Sequence, residues 1–181
     1  LHRLGADVPR RGPVVLLNPN AGDMLPIRKW EPERFIELAQ QLIGRNERLV
    51  VLFTGAPPER SACEALAARV GSPRAISLAG HTTLEELIAL YWMADVLVTN
   101  DSGPGHFASL TDIKSIVLFG PETPLLFGPL GARATSLWKR LACSPCVSAF
   151  NHRTTPCTDN VCMKRITVAE VLHQVENLVR G

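Results

Sequence analysis

Five short apolar runs, each followed by a stretch with helical spacing, constrain this chain more than anything else in it. They are Val14-Val15-Leu16-Leu17, Leu49-Val50-Val51-Leu52-Phe53, Ala75-Ile76-Ser77-Leu78, Val96-Leu97-Val98 and Ser115-Ile116-Val117-Leu118-Phe119. Glu33 to Ile43, after Pro32, reads as an amphipathic helix, and Glu59 to Val70 as the next. Thr83 heads a third, with Glu86 three residues later in a capping-box spacing. A short sixth strand is expected over Ala134 to Lys139 and a last helix over Thr167 to Val179. Strands that are apolar throughout, rather than alternating, belong to a sheet covered on both faces. The pattern therefore predicts an α/β fold of three layers with a mostly parallel sheet. Ligands of such sheets bind beyond the carboxyl ends of the strands.

The candidate site is then whatever follows each strand. The first strand leads into Asn18-Pro19-Asn20-Ala21-Gly22 and on to Arg28-Lys29-Trp30, the second into Thr54-Gly55-Ala56-Pro57-Pro58-Glu59. The third leads into Ala79-Gly80-His81-Thr82, the fourth into Asn100-Asp101-Ser102-Gly103-Pro104-Gly105-His106, the fifth into Gly120-Pro121-Glu122-Thr123-Pro124. Small residues let a ligand approach the backbone. The fourth turn is the most informative: Asp101 or Ser102 can cap a helix that has Pro104 in its first turn, and the free N–H groups there favour an anion. Arg28 and Lys29 supply charge for a diphosphate, and Glu59 is placed to accept from a ribose diol. Each of these features taken singly also has an ordinary reading as turn or capping chemistry. Taken together, they favour a site.

At 181 residues the chain fits one domain with a real core. A net charge of +2 gives no reason to invoke nucleic acid, and no basic block is longer than Pro9-Arg10-Arg11. No apolar run approaches the roughly 20 residues that span a bilayer, and the N-terminus lacks the order of a signal peptide. It also lacks an initiator methionine, so the chain reads as a piece of a longer protein.

The strand-end motifs carry a resemblance. Asn18-Pro19-Asn20-Ala21-Gly22, the basic pair before Trp30, Gly55-Ala56 with Glu59, and Gly80-His81-Thr82-Thr83-Leu84 contribute to it. Asn100-Asp101-Ser102-Gly103-Pro104 with His106 is its most specific element, joined by Gly120-Pro121-Glu122-Thr123-Pro124. In these the chain resembles the C-terminal, donor-binding domain of the ADP-heptose:lipopolysaccharide heptosyltransferase family, glycosyltransferase family 9, over nearly its whole length. The resemblance implies a Rossmann-like half of a two-domain GT-B enzyme that transfers a sugar from a nucleotide donor with inversion and without a metal or other cofactor. Residues 1–12 would end the interdomain linker and residues 13–181 would form the domain. The donor-binding set it implies is Asn20, Arg28, Lys29, Gly55, Glu59, Asp101, Ser102, Gly103, His106 and Thr123. Arg28 lies where the family commonly has lysine. Asp101 would hold donor sugar hydroxyls, and His106 would approach the diphosphate or hold its turn. The catalytic base and the site for a glycan or lipid-linked acceptor would lie in the N-terminal domain. The implied setting is cytoplasmic, peripheral to the inner membrane in the full protein. A nucleotide-sugar epimerase or hydrolase of the same architecture and a non-catalytic zinc-stapled binding module remain as alternatives.

The cysteines form a second constellation. Cys143, Cys146, Cys157 and Cys162 have the paired spacing of a structural tetrathiolate zinc site within a polar loop over 141–165. Zinc, free thiols and disulfides stay open, with disulfides least favoured in a cytosolic chain. Cys63, Trp92 and Met93 read as core residues, His173 as part of a solvated face, and Trp30 as a plug at the domain edge.

Overall fold

The computed structural model describes residues 12–22 and 25–180, so the expected linker lies almost wholly outside the described residues. Six strands form one sheet: β1 (Val14–Asn18), β2 (Val50–Phe53), β3 (Ala75–Ser77), β4 (Val96–Asn100), β5 (Lys114–Phe119) and β6 (Ala134–Trp138). Their order is β3-β2-β1-β4-β5-β6, and every neighbouring pair is parallel. Parallel pairs need crossover connections, and helices fill most of these. They are α1 (Pro32–Arg45), α2 (Arg60–Val70), α3 (Leu84–Met93), α4 (Gly103–Ala108) and the short α5 (Pro124–Phe127). After β6 come α6 (Val161–Lys164) and α7 (Val168–Arg180). The fold is the three-layer parallel arrangement that the apolar runs predict, and it is Rossmann-like as the resemblance implies.

Strand alternation divides the core in two. Val15, Leu17, Val51, Phe53, Val98 and Ile116 pack with α1, α2 and α7 on one face. Leu16, Leu52 and Leu97 pack with Leu90, Tyr91 and Ala108 of α3 and α4 on the other. In α1 the buried residues are Phe35, Ile36, Leu38, Ala39, Leu42 and Ile43, one helical stripe on a helix that Pro32 starts. Trp30, just before it, is fully buried; its indole N–H donates to the Ile166 carbonyl at 2.8 Å and its ring meets Phe35 edge-on. That is the plug expected of it.

Two core expectations are corrected. Trp92 is 58% exposed and Met93 64%. Helix α3 is apolar nearly all round, but only Leu90 and Tyr91 at its end are buried. Each further residue turns about 100° away from that stripe. The Tyr91 hydroxyl has no partner, and burial pushes its ionisation well above the ordinary phenol value. Cys63 is buried, and His173 is exposed on α7 beside Asn177. Among the described residues no helix is long and apolar enough to cross a membrane.

Candidate functional site

The chain runs outward from β1 to β3, then returns to the other side of β1 to lay down β4 to β6. Loops on either side of β1 and β4 therefore diverge at their carboxyl ends, where open α/β sheets bind ligands. A cavity of about 480 Å³ lies at this reversal, within the usual size for a small-molecule site. Its walls come from the segments after four strands: Asn18 to Gly22 with Arg28, Gly55 to Glu59, Thr82 and Thr83, and Ser102 to Pro104. Leu84, Leu87 and Phe107 give one part of it an apolar lining.

Asparagines hold the loops. The Asn18 amide donates to the Thr54 carbonyl at 3.1 Å, and that of Asn100 to the Pro19 carbonyl at 2.9 Å, while the Trp30 N–H donates to the Asn100 side-chain oxygen at 3.0 Å. The β1 loop is thereby tied to both neighbouring strands. Gly55 is required by close approach: a Cβ there would lie 2.8 Å from the Asn20 amide nitrogen and 3.1 Å from a Glu59 carboxylate oxygen. Glu59 accepts the Ala56 N–H at 2.7 Å, which turns its carboxylate into the cavity wall.

A buried ionic cluster lies next to this cavity. An Nη of Arg28 donates to the Ala21 carbonyl at 3.0 Å, and its other Nη is 3.9 Å from Asp101 and 3.5 Å from Glu122. Arg153, from the cysteine-rich loop, reaches Glu122 at 3.8 Å. Asp101 is 4% exposed and Glu122 2%. Burial, and then a hydrogen shared with Glu122, push the Asp101 carboxyl up to about 7, against the opposing pull of Arg28 and Arg153. Among the described residues, buried Arg28 Nε, one Asp101 oxygen and one Glu122 oxygen have no hydrogen-bond partner.

Of the expected site residues, Asn20, Arg28, Gly55, Glu59, Ser102 and Gly103 line the cavity; Lys29, Asp101, His106 and Thr123 are not among its lining residues. The buried Asp101 carboxyl lies against Arg28, 3.9 Å away, and interacts with Glu122. His106 is exposed in the last turn of α4, and the Thr123 hydroxyl accepts the Leu125 N–H to start α5. Ser102 occupies the cap position of α4 without a capping hydrogen bond. Its hydroxyl instead approaches the Asn20 and Asn100 carbonyls, at 3.4 and 3.1 Å. Sequence reasoning assigned no role to Leu87 or Phe107, nor to Glu122 and Arg153 as charged groups. Glu122 had one available signal: it and Asp101 follow the adjacent strands β5 and β4 within three residues of their ends.

The cysteine spacing does not translate into a metal site. Cys143 and Cys157 are exposed, Cys146 is half-buried and Cys162 buried, all as free thiols. Among the described residues no three His, Cys, Asp or Glu side chains gather closely enough to hold a metal ion. The residues present therefore do not fit zinc. Hydrogen bonds seat the loop instead: Cys146 and Val147 N–H groups both donate to the Pro121 carbonyl, at 2.9 and 3.0 Å, and the Trp138 indole donates to Ser144. The Asn151 amide closes the loop on the Cys146 carbonyl at 2.9 Å.

A parallel sheet in this order with a mixed polar and apolar cavity at its reversal defines the chain as a Rossmann-like α/β domain. The particular family follows from comparison. The model of glycosyltransferase family 9 (heptosyltransferase) matches residues 3–155, and the chain belongs to that family. Lipooligosaccharide heptosyltransferase 2 of Campylobacter jejuni is 26% identical over 176 residues, covering 95% of this chain and 53% of that protein. The solved ADP-heptose lps heptosyltransferase II of E. coli superposes with a TM-score of 0.77 at 23% identity, over 96% of this chain and 48% of its own. An E. coli heptosyltransferase solved with ADP gives a TM-score of 0.69 at 19% identity, over 98% of this chain and 48% of its own. The chain thus spans about half the length of these relatives.

Proposed function

We propose that residues 13–181 are the C-terminal, donor-binding domain of an inverting glycosyltransferase, with residues 1–12 ending the linker to an acceptor-binding domain. The observation that carries this reading is the cavity at the β1–β4 reversal, which pairs an apolar lining with a carboxylate on one side and a guanidinium on the other. An ADP-sugar of the heptose type fits that layout. Leu84, Leu87 and Phe107 would take the base, Glu59 the ribose diol, and Arg28 with the backbone N–H groups of Ser102 and Gly103 the diphosphate. ADP bound to the similar E. coli heptosyltransferase supports the choice of nucleotide.

The chemistry follows from that placement. An acceptor hydroxyl on a lipopolysaccharide or related glycan attacks the donor's anomeric carbon, the new glycosidic bond forms as the bond to the diphosphate oxygen breaks, and ADP leaves with the electron pair. A base on the acceptor-binding domain takes the hydroxyl proton. Arg28 stabilises charge that grows on the leaving diphosphate, an effect worth more in a partly enclosed site than in water. The transfer is proposed to need no cofactor, and to take place in the cytoplasm with the full protein peripheral to the inner membrane.

Calorimetry with ADP, UDP and GDP tests the reading. Saturable binding that prefers ADP is expected, and no saturable binding of any of the three at millimolar concentration would overturn it. Consumption of an ADP-sugar by the full-length protein with no acceptor present would move the assignment to an epimerase or hydrolase.

A further inference from the structure

We infer that Glu122 and Arg153 are positioning residues that act through Arg28: Glu122 braces the Arg28 guanidinium beside the cavity, and Arg153 neutralises Glu122 so that Arg28 stays available to a diphosphate. This rests on the donor-site reading above and names the residues that make its cation work.

The argument begins with charge. Arg28 lies against two carboxylates, Asp101 and Glu122, both nearly inaccessible to water. Two ionised carboxylates beside one guanidinium leave an excess negative charge, and such a site repels a diphosphate. Among the described residues, the charged groups facing this pair are Arg28 from the β1 loop and Arg153 from the cysteine-rich loop, together with Asp101 and Glu122 themselves from the β4 and β5 loops. Adding Arg153 brings the cluster to neutrality. A proton held between the two carboxyls then makes it positive. Without Arg153, that proton alone only restores neutrality.

Geometry points the same way. The contacts of Arg28 to Asp101 and Glu122, at 3.9 and 3.5 Å, are ion-pair distances longer than a good hydrogen bond. Its Nε is buried and has no hydrogen-bond partner among the described residues. One Nη is held by the Ala21 carbonyl, while the other is braced by charge at ion-pair distances and keeps donor capacity for a ligand. Arg153 is anchored at two points: its backbone N–H donates to the Ser148 carbonyl at 2.9 Å, and its part-exposed guanidinium lies over the Phe127 ring at 5.8 Å. Its backbone holds a left-handed φ of 56°, unusual for a residue other than glycine. The loop that carries it is docked on Pro121, next to Glu122 in the chain. The cysteine-rich loop therefore delivers a cation to the donor site as well as covering the end of β5.

The experiment is calorimetric titration of ADP and of inorganic pyrophosphate into the wild-type protein and into Arg153→Ala, Arg153→Lys and the double variant Arg153→Ala/Glu122→Gln, with thermal melts to confirm folding. Arg153→Ala is expected to weaken both probes about tenfold and Arg153→Lys much less. The double variant should recover most of the loss, because removing the Glu122 charge replaces the missing neutralisation. A merely structural Arg153 would give no such recovery. Wild-type affinity in Arg153→Ala, or a double variant as weak as the single one, overturns the inference while leaving the donor site standing. Wild-type protein that binds pyrophosphate but not ADP overturns the donor reading, with the variants still decided by pyrophosphate. Failure to bind either probe overturns both.

Discussion

Replacing Asp101 by Asn should flatten the pH dependence of folding stability between about pH 5 and 7. In the native chain the Asp101 carboxyl is raised from 3.8 to about 7, so it keeps a proton that the unfolded chain has already lost. The native state therefore binds more protons across that window, and stability falls as pH rises, by about 1.4 kcal/mol per pH unit. From pH 5 to 7 the loss is about 2.3 kcal/mol, because the slope halves as pH reaches the native value, and it totals roughly 4 kcal/mol once pH has passed both values. Because the proton is shared with Glu122, the loss belongs to the pair. Asn at position 101 has the shape of the protonated acid, and its amide N–H can donate to Glu122 at every pH. Urea denaturation of both proteins at pH 5, 6, 7 and 8 reads the effect as a difference of slopes. Carboxylates held below their ordinary range, such as Glu170, titrate in both proteins and cancel. Equal slopes within about 0.5 kcal/mol over the window would refute the buried shared proton.

Three further outcomes are expected. Glu59→Ala should weaken ADP binding about tenfold by calorimetry, near 1.4 kcal/mol, with Glu59→Gln closer to wild type because its carbonyl can still accept the Ala56 N–H. Trp30→Ala should cost about 3–5 kcal/mol in chemical denaturation, as for other buried aromatics, and Trp30→Phe less than half of that. The Ile166 carbonyl that loses the indole donor keeps Arg34, at 2.6 Å. Gly120→Ala should destabilise by about 1–3 kcal/mol through overpacking, since the new Cβ would lie 2.5 Å from the Met163 sulfur, and Met163→Ala should relieve part of the change in a thermal melt.

How much of this was legible in the sequence depends on how local each cause is. The strands were readable because a run such as Val50 to Phe53 is buried on both faces, which its composition alone announces. The cavity was readable through topology, since Gly55, Glu59 and Ser102 needed only to follow strands that end on one edge. Trp92 and Met93 were misread because α3 is apolar on nearly every side beyond its first turn, and only the packed fold selects the stripe ending at Leu90 and Tyr91. The spacing of Cys143, Cys146, Cys157 and Cys162 was equally plain, yet spacing sets no distances in a loop whose seating depends on Pro121 and Ser144.

Arg153 is the extreme case, a cation 31 residues beyond the Glu122 it serves, in a loop with no periodicity to place it. Its position follows from the docking of Cys146 and Val147 on the Pro121 carbonyl, contacts that exist only once β5 has joined the sheet. The same dependence explains why the pairing of Asp101 with Glu122 was not foreseen. In sequence Asp101 neighbours Ser102 and Gly103, which do face the cavity, and inherits their role by proximity. In the fold β4 and β5 are adjacent and parallel, so Asp101 and Glu122 emerge side by side, and two buried carboxyls that close are driven to share a proton. The electrostatics beside the cavity are therefore a property of strand order. A change that leaves every motif intact but shifts the β4–β5 register by one residue would separate the pair and alter the charge presented to the ligand.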